Sequence, residues 1–223
     1  MYRNIIFDFG NTLASSASLA NSLEAVLGDP VGQIIGLEIE QAIASLYHSG
    51  QVHQPDWYYI WSKCFAVHDY AFSRAIGYQH LQHFAASNNT YVDSKPLLRE
   101  LKARGLRLGL LSNVTGPFEI FDRDLKQRGL AEYFDTVTWS SQIGFRKPSA
   151  QSFLQVLNEL NADPNETLMV GDSEVADIQG ANAIGLHTAL VSEDRSTLTE
   201  AHYRVRKSHI YEDLLTIIFS TDS

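Results

Sequence analysis

From Tyr91 onward, short apolar runs alternate with helical patterns, and this alternation restricts the fold more than any other feature of the sequence. The runs at 106–111 and 167–170 are typical of buried strands, because they are short and almost wholly apolar. Further strands are predicted at 134–139, 187–191 and 203–205, and helices fill the intervals between them. Strands that alternate with helices favour an α/β fold, a Rossmann-like parallel sheet with helices on both faces.

The segment 15–89 has a different pattern, with no convincing strand and several helical stretches. Apolar and aromatic residues recur there at helical spacing, as in Ile35, Ile39 and Ile43, and again in Trp57, Trp61 and Phe65. Such stripes are typical of the packed face of an amphipathic helix. We therefore predict a helical insertion at 15–89 within a core formed by 1–14 and 90–223.

Composition and charge narrow the classes of partner. The chain has 223 residues and a formal net charge of −9, so it is expected to repel nucleic acids and anionic membrane surfaces. The basic residues Arg204, Arg206 and Lys207 form a cluster that is too short to change this expectation. We expect neither a nucleic acid nor a membrane as a partner.

The single cysteine and the N-terminal sequence bear on location. Cys64 is the only cysteine, which excludes intrachain disulfides and thiolate zinc sites and favours a reducing compartment. The apolar run at 5–7 is too short for a signal peptide or a membrane span. Both observations predict a cytoplasmic protein.

Polar, reactive side chains follow three of the predicted strands. Asp8 follows the run at 5–7, Ser112 and Asn113 follow the run at 106–111, and Asp172 follows the run at 167–170. Because ligands of parallel sheets bind beyond the carboxyl ends of the strands, we expect these side chains to meet in one site. The plainer alternative is that each of them only caps a helix or a turn.

The residue types at these positions suggest phosphoryl transfer. Asp8 and Asp172, with Asp177 nearby, offer the hard oxygen ligands that Mg²⁺ prefers. Ser112 and Lys147 offer a hydroxyl and a positive charge to anionic oxygens, although Lys147 taken alone is more typical of a solvated lysine. A nucleophile, a metal and donors around the phosphoryl oxygens are the parts that this reaction needs.

Four motifs together identify a family that the chain resembles. They are FDFGNTL at 7–13, LSN at 111–113, KP at 147–148, and VGDS at 170–173 continuing through Asp177 to GA at 180–181. In order and spacing they are similar to the motifs of the haloacid dehalogenase-like hydrolases, most of which are Mg²⁺-dependent phosphatases. The resemblance implies that the helical insertion is the small cap that follows the first motif in one subclass of that family.

The resemblance also implies roles for individual residues. Asp8 is similar to the nucleophile that forms an aspartyl-phosphate, and Ser112 and Lys147 are similar to the residues that hold the phosphate. Asp172 is similar to the metal ligand, and Asp177 to the acidic residue that supports the metal or the lysine. The expected substrate is a small phosphomonoester and the expected cofactor is Mg²⁺.

Three further residues are expected near the substrate. Thr12 resembles the position that stabilises the nucleophile loop, and Asn113 offers its amide to an anionic oxygen. Trp57 belongs to the insertion and is expected to face the substrate if the insertion is a cap; packing within the helices is the competing interpretation.

Gly10 departs from the family pattern. The phosphatases usually have an aspartate there, which protonates the leaving oxygen and later activates the hydrolytic water. Gly10 keeps the backbone carbonyl that binds the metal but cannot donate a proton. Loss of a general acid and base typically lowers the rate about 10²- to 10⁴-fold, and least for substrates with stable leaving groups.

Other functions therefore remain open at this point. A catalytically reduced protein that only binds a phosphate ligand would explain Gly10. A 2-haloacid dehalogenase would tolerate the loss of the acid, although Asp172 and Asp177 disfavour that metal-independent reaction. A zinc site at His80 and His83 is weakly suggested by their spacing, but no third ligand is evident.

Overall fold

The computed structural model describes residues 2–48, 50–194, 196 and 198–219, and its centre is a six-stranded parallel sheet. The strands are, in chain order, β1 (Asn4–Phe7), β2 (Ala14–Ser15), β3 (Asn89–Thr90), β4 (Arg107–Ser112), β5 (Thr136–Trp139), β6 (Thr167–Gly171), β7 (His187–Val191) and β8 (Tyr203–Val205). The order in the large sheet is β5-β4-β1-β6-β7-β8, and every neighbouring pair is parallel. The parallel sheet predicted from the sequence is confirmed.

The described part of the chain forms ten α-helices, of which the first four belong to the insertion and the others surround the sheet. They are α1 (Leu19–Leu27), α2 (Val31–Ala44), α3 (Trp57–Val67), α4 (Arg74–Ser87), α5 (Ser94–Ala103), α6 (Phe118–Gln127), α7 (Ser140–Ile143), α8 (Ala150–Leu160), α9 (Gly180–Asn182) and α10 (Ile210–Phe219). Successive side chains of a strand point to opposite faces. Accordingly, Ile5 and Phe7 of β1 belong to the larger hydrophobic core, whereas Ile6 belongs to a second core with Phe153 of α8.

The insertion is helical, and its two ends leave the core side by side. Helices α1 to α4 occupy residues 19–87, and β2 pairs antiparallel with β3 at the base of this segment. The predicted limits of the insertion fall inside this short ribbon. Leu23, Ile35, Trp61 and Phe65 are fully buried, so the aromatic and aliphatic stripes pack against one another as the sequence pattern predicts.

Local structure differs from the sequence prediction at three places. Helix α1 was not predicted, although Ser18 caps its start and Gly28, at φ 64°, ends it. Strand β5 begins at Thr136, since 131–133 forms a 3₁₀ turn before it. The helix expected between the strands at 167–170 and 187–191 consists of a π-helical segment, Glu174–Gln179, followed by the short α9.

No helix in the described part of the chain is both long enough and apolar enough to cross a membrane.

Candidate active site

The three polar strand ends meet at one edge of the sheet. Strand β1 lies between β4 and β6, so Asp8, Ser112 and Asp172 emerge from adjacent parallel strands. All three side chains line a cavity of about 470 Å³ between the sheet and the helical insertion. Asp8 and Ser112 are buried, at 7% and 5% exposure, which is unusual for polar residues that serve only as caps.

Lys147 also lines this cavity, although it lies in a distant part of the chain. Its Nζ lies 2.6 Å from Asp8 Oδ1 and 2.6 Å from Asp177 Oδ1, and all three side chains are buried. Asn113 holds the main chain of Lys147 in place: its Nδ2 donates to the Lys147 carbonyl at 2.9 Å, and its Oδ1 accepts the Lys147 N–H at 2.9 Å. Asn113 therefore lines the cavity and also fixes the position of the lysine.

The pKa values in the site are set by the burial of the side chains and by the excess of carboxyl groups over cations. Burial alone would lower the pKa of Lys147, but Asp177 and Asp8 outweigh that effect and raise it, so the lysine is charged. Burial raises the pKa of Asp8 despite the neighbouring lysine. Burial and the nearby Asp177 raise the pKa of Asp172 to about 6. One ammonium thus faces three carboxyl groups.

The donor set fits a divalent cation with oxygen ligands. Carboxylate oxygens of Asp8, Asp172 and Asp177 lie within 4.8 Å of one another. Asp177 already accepts from Lys147 through Oδ1 and from the Ser173 N–H through Oδ2, at 3.0 Å. These bonds favour Asp8 and Asp172 as the carboxylates available to Mg²⁺, with Asp177 as the residue that positions Lys147. One or two carboxylates are the usual protein ligands of Mg²⁺.

Gly10 and Thr12 lie on the loop that follows the first strand. The loop turns sharply, since the Asn11 N–H donates to the Ala14 carbonyl at 2.6 Å. Gly10 lines the cavity, and a Cβ placed there would meet only Ser16 Oγ, at 3.2 Å. Thr12 is fully buried and is not among the residues that line the cavity, and its role in stabilising the nucleophile loop stays a prediction.

Trp57 lies away from the cavity. It is half-buried in a cluster of aromatic rings on α3 and α4, with ring centroids 5.8 Å from Trp61 and 5.9 Å from Tyr78. It does not line the cavity. This placement agrees with packing within the helices, the competing interpretation of the aromatic stripe.

His80 has no free nitrogen for zinc. It is fully buried, its Nδ1 accepts the Trp61 Nε1–H at 3.0 Å, and its Nε2 donates to the Leu19 carbonyl at 2.8 Å. Burial lowers the pKa of His80 to about 4. The ring is therefore neutral and ties α3 and α4 to the start of α1, whereas His83 is exposed.

Sequence reasoning missed the residues that form the rest of the wall. Leu19, Ile43, Tyr47 and Phe84 of the insertion face the strand ends across the cavity. The sequence pattern does indicate two of these residues, because Ile43 and Tyr47 extend the four-residue spacing of Ile35 and Ile39. From the core, the wall also takes Phe9, Thr115, Phe121 and Trp139.

Comparison with known proteins places the chain in a family. The model of the haloacid dehalogenase-like hydrolases matches residues 2–185. The ribulose-1,5-bisphosphate 5-phosphatase of Halopiger xanaduensis is 36% identical over 110 residues, which is 49% of this chain and 45% of that protein. The haloacid dehalogenase-like hydrolase domain-containing protein 3 of Homo sapiens is 34% identical over 129 residues, 56% of this chain and 49% of that protein. The matches span about half the length of these curated relatives.

A solved structure shows the same fold over the whole chain. A Bacillus subtilis protein described as a HAD-hydrolase bound to magnesium superposes with a TM-score of 0.78 at 21% identity, covering 98% of this chain and 99% of that one. The family match, the relatives and the shared fold lead to one conclusion. The chain belongs to the haloacid dehalogenase-like hydrolases.

Proposed function

We propose that this chain is a Mg²⁺-dependent phosphatase that cleaves a small phosphomonoester through an aspartyl-phosphate on Asp8. The observation that carries the proposal is the buried contact between Asp8 and Lys147, in a cavity that Ser112 and Asp172 also line. One of the two relatives described above is itself named a phosphatase. The proposed organisation is a catalytic core of 1–14 and 90–223 with a cap of 15–89.

The residues around Asp8 supply what the first step needs. The Asp8 carboxylate attacks phosphorus, the bond from phosphorus to the leaving oxygen breaks, and its electron pair stays on that oxygen. The Ser112 hydroxyl and the Lys147 ammonium donate to the phosphoryl oxygens, where negative charge must be stabilised. Asp8, Asp172 and the Gly10 carbonyl would hold Mg²⁺, which would supply further neutralisation of that charge when bound.

The second step regenerates the enzyme. A water molecule attacks the phosphorus of the aspartyl-phosphate, the bond between phosphorus and the Asp8 oxygen breaks, and inorganic phosphate leaves. Asp177 keeps Lys147 pointed at the Asp8 carboxylate in both steps through its bond of 2.6 Å. Asn113 restrains the main chain of the same lysine.

Gly10 determines which substrates turn over well. No side chain at this position can give a proton to the leaving oxygen, so the leaving group must be stable as an anion or be protonated by the substrate itself. Aryl phosphates and sugar 1-phosphates meet the first condition better than simple alkyl phosphates. We therefore place the preferred substrates among phosphates with good leaving groups.

The insertion serves as the apolar side of the cavity. Leu19, Ile43 and Phe84 line the cavity opposite the charged strand ends, and these apolar side chains would disfavour water beside the reacting groups. Water exclusion strengthens the electrostatic contacts inside the site. The buried Cys64 agrees with the proposed location in the reducing cytoplasm.

The experiment that tests this function measures phosphate release from p-nitrophenyl phosphate and from a panel of sugar, nucleotide and alkyl phosphates. Wild type is compared with D8N, with Mg²⁺ and with EDTA. Release that requires both Asp8 and Mg²⁺ supports the proposal. No release from any phosphate contradicts it, and halide release from a 2-haloacid would then identify a dehalogenase rather than a phosphate-binding protein without turnover.

A further inference from the structure

Arg146, the residue before Lys147, is a buried cation without an acidic partner. Only 1% of the residue is exposed, and no carboxylate of the described chain forms an ion pair with it. Its Nη1 donates to Thr115 Oγ1 at 3.2 Å. Its Nε and Nη2 are buried and have no hydrogen-bond partner in the structure.

Such an arrangement is costly in a folded protein. A buried charge is normally paired, and each donor that loses water without gaining a partner destabilises the fold. Burial lowers the pKa of Arg146, and the neighbouring Tyr47 hydroxyl offsets that effect only in part. An apolar residue of similar size would fill the same space without that cost. Contacts within the protein therefore do not account for a buried arginine at this position.

The guanidinium lies directly behind the wall of the cavity. The ring of Tyr47 covers it, with Arg146 Cζ 5.3 Å from the ring centroid, and Thr115 contacts it from the core. Both Tyr47 and Thr115 line the same cavity as Asp8 and Ser112. Tyr47 is 47% exposed, so solvent borders part of the side chain that covers the guanidinium.

The main chain holds this arrangement together. The Arg146 N–H donates to the Val52 carbonyl at 3.0 Å, and the Gln54 N–H donates to the Gly144 carbonyl at 2.9 Å. The Gln54 side chain donates in addition to the Val114 carbonyl at 2.8 Å. These bonds fasten the loop after α2, which carries Tyr47, to the core next to Arg146. The cation is thus kept close to the cavity and to Lys147.

We propose that Arg146 binds a second anionic group of the substrate, a carboxylate or a second phosphate, after the Tyr47 ring turns aside. The three carboxylates of the site are offset by Lys147 and a divalent cation, which leaves the positive charge of Arg146 in excess. A planar guanidinium with two free donors suits a carboxylate or phosphate oxygen pair. The inference rests on the proposed phosphatase function, because the first phosphate is taken to lie at Ser112 and Lys147.

The test is equilibrium binding of phosphonates, which the enzyme cannot hydrolyse, measured by calorimetry on the full chain with Mg²⁺. Methylphosphonate is the probe with one anionic group. Phosphonoacetate, its two longer homologues and methylenediphosphonate add a carboxylate or a second phosphonate at increasing distances. At least one of these is expected to bind about tenfold more tightly than methylphosphonate, since charge-assisted hydrogen bonds are the strong ones.

Variants assign that preference to Arg146. In R146M the ratio of the two affinities should fall to near one, whereas R146K, which keeps the charge but loses the planar fork, should retain part of it. R3M is the matched control, because it removes the same charge from an exposed side chain at the opposite end of the sheet and should keep the wild-type ratio. If R146M does not fold, the affinity ratio is measured in R146K instead.

The outcomes separate the two proposals. Binding of methylphosphonate with no added affinity for any larger probe would overturn the role of Arg146 and leave the phosphatase proposal standing. The wild-type affinity ratio in R146M, or the undiminished wild-type ratio in R146K if R146M does not fold, would overturn it as well. If no phosphonate binds at all, the proposed function is contradicted together with this inference.

Discussion

Lys147 Nζ lies 2.6 Å from Asp8 Oδ1, although the two residues stand 139 positions apart in the sequence. The contact is buried, with 1% of the lysine side chain and 10% of the aspartate side chain exposed. Asp177 accepts from the same ammonium on its other side. One cation therefore holds together an acidic residue that follows β1 and another from the π-helical segment after β6.

Replacing Lys147 with methionine should destabilise the protein strongly. K147M leaves the carboxylates of Asp8 and Asp177 buried without their partner, and removal of one member of a buried ion pair typically costs about 3–5 kcal/mol. K102M is the control, since Lys102 pairs with Asp135 at the surface and such pairs contribute about 1 kcal/mol or less. Urea unfolding at neutral pH measures both. If K147M and K102M lowered the free energy of unfolding by similar amounts, the buried contact would contribute no more to stability than the surface ion pair.

Introducing an aspartate at Gly10 should favour poor leaving groups. A Cβ at Gly10 would meet only Ser16 Oγ, at 3.2 Å, so Ser16 must shift slightly to admit it, and the backbone there is not left-handed. G10D should raise kcat/KM for alkyl phosphates about 10- to 100-fold, and that for aryl phosphates less, because only the former need the added proton.

The control for this variant is G10N, which has nearly the same size and no useful acid. It should give no selective gain on alkyl phosphates. If G10D raised kcat/KM equally for alkyl and aryl phosphates, or raised it for neither, the missing proton donor would not be what limits the site.

His80 should make stability depend on pH. Its pKa is about 4 in the folded protein and near 6.5 when unfolded, so the neutral ring stabilises the fold fully above pH 6.5. That contribution is lost as pH falls from 6.5 toward 4, on the order of 1–2 kcal/mol by pH 5.

The measurement is the free energy of unfolding between pH 7.5 and 5 in wild type, H80Q and H83Q. His83 is three residues farther along α4 and exposed, so H83Q should keep the wild-type pH dependence. H80Q should be less stable at neutral pH and lose less stability on acidification. If the free energy of unfolding changed equally with pH in wild type and H80Q, His80 would not be the cause of the pH dependence.

Trp57 should contribute to stability rather than to substrate affinity. Its ring packs against Trp61, Phe72 and Tyr78 and does not line the cavity. W57A should lower the free energy of unfolding by roughly 3 kcal/mol or somewhat less, as expected for a half-buried aromatic. KM values on the phosphate panel should stay close to those of wild type. A selective rise in KM would instead place Trp57 at the substrate.

The convergence of the strand ends was predictable because it depends on two local signals and one rule of topology. Apolar runs identify the strands, and Asp8, Ser112 and Asp172 mark where they end. Alternation with helices makes the strands parallel, and parallel strands direct these ends to one edge. The structure confirms the parallel sheet and brings the three residues into one cavity.

The rest of the site depends on features that leave little trace in the sequence. Strands β2 and β3 have two residues each, which is too short for any periodicity. The contact between Tyr47 and Arg146 depends on the path of a loop, and so does the pair of bonds between Asn113 and Lys147. A sequence shows that such residues are polar but not which of them remain unpaired.

The most direct test of the central claim is to detect the phosphoryl group on Asp8 itself. Wild type and D8N are mixed with a phosphomonoester and Mg²⁺, quenched with acid within a single turnover, digested and examined by mass spectrometry. We expect a phosphorylated peptide containing Asp8 in wild type, and neither a phosphorylated peptide nor turnover in D8N. Continued phosphate release by D8N, or turnover in wild type without any phosphorylated Asp8 peptide, would contradict it.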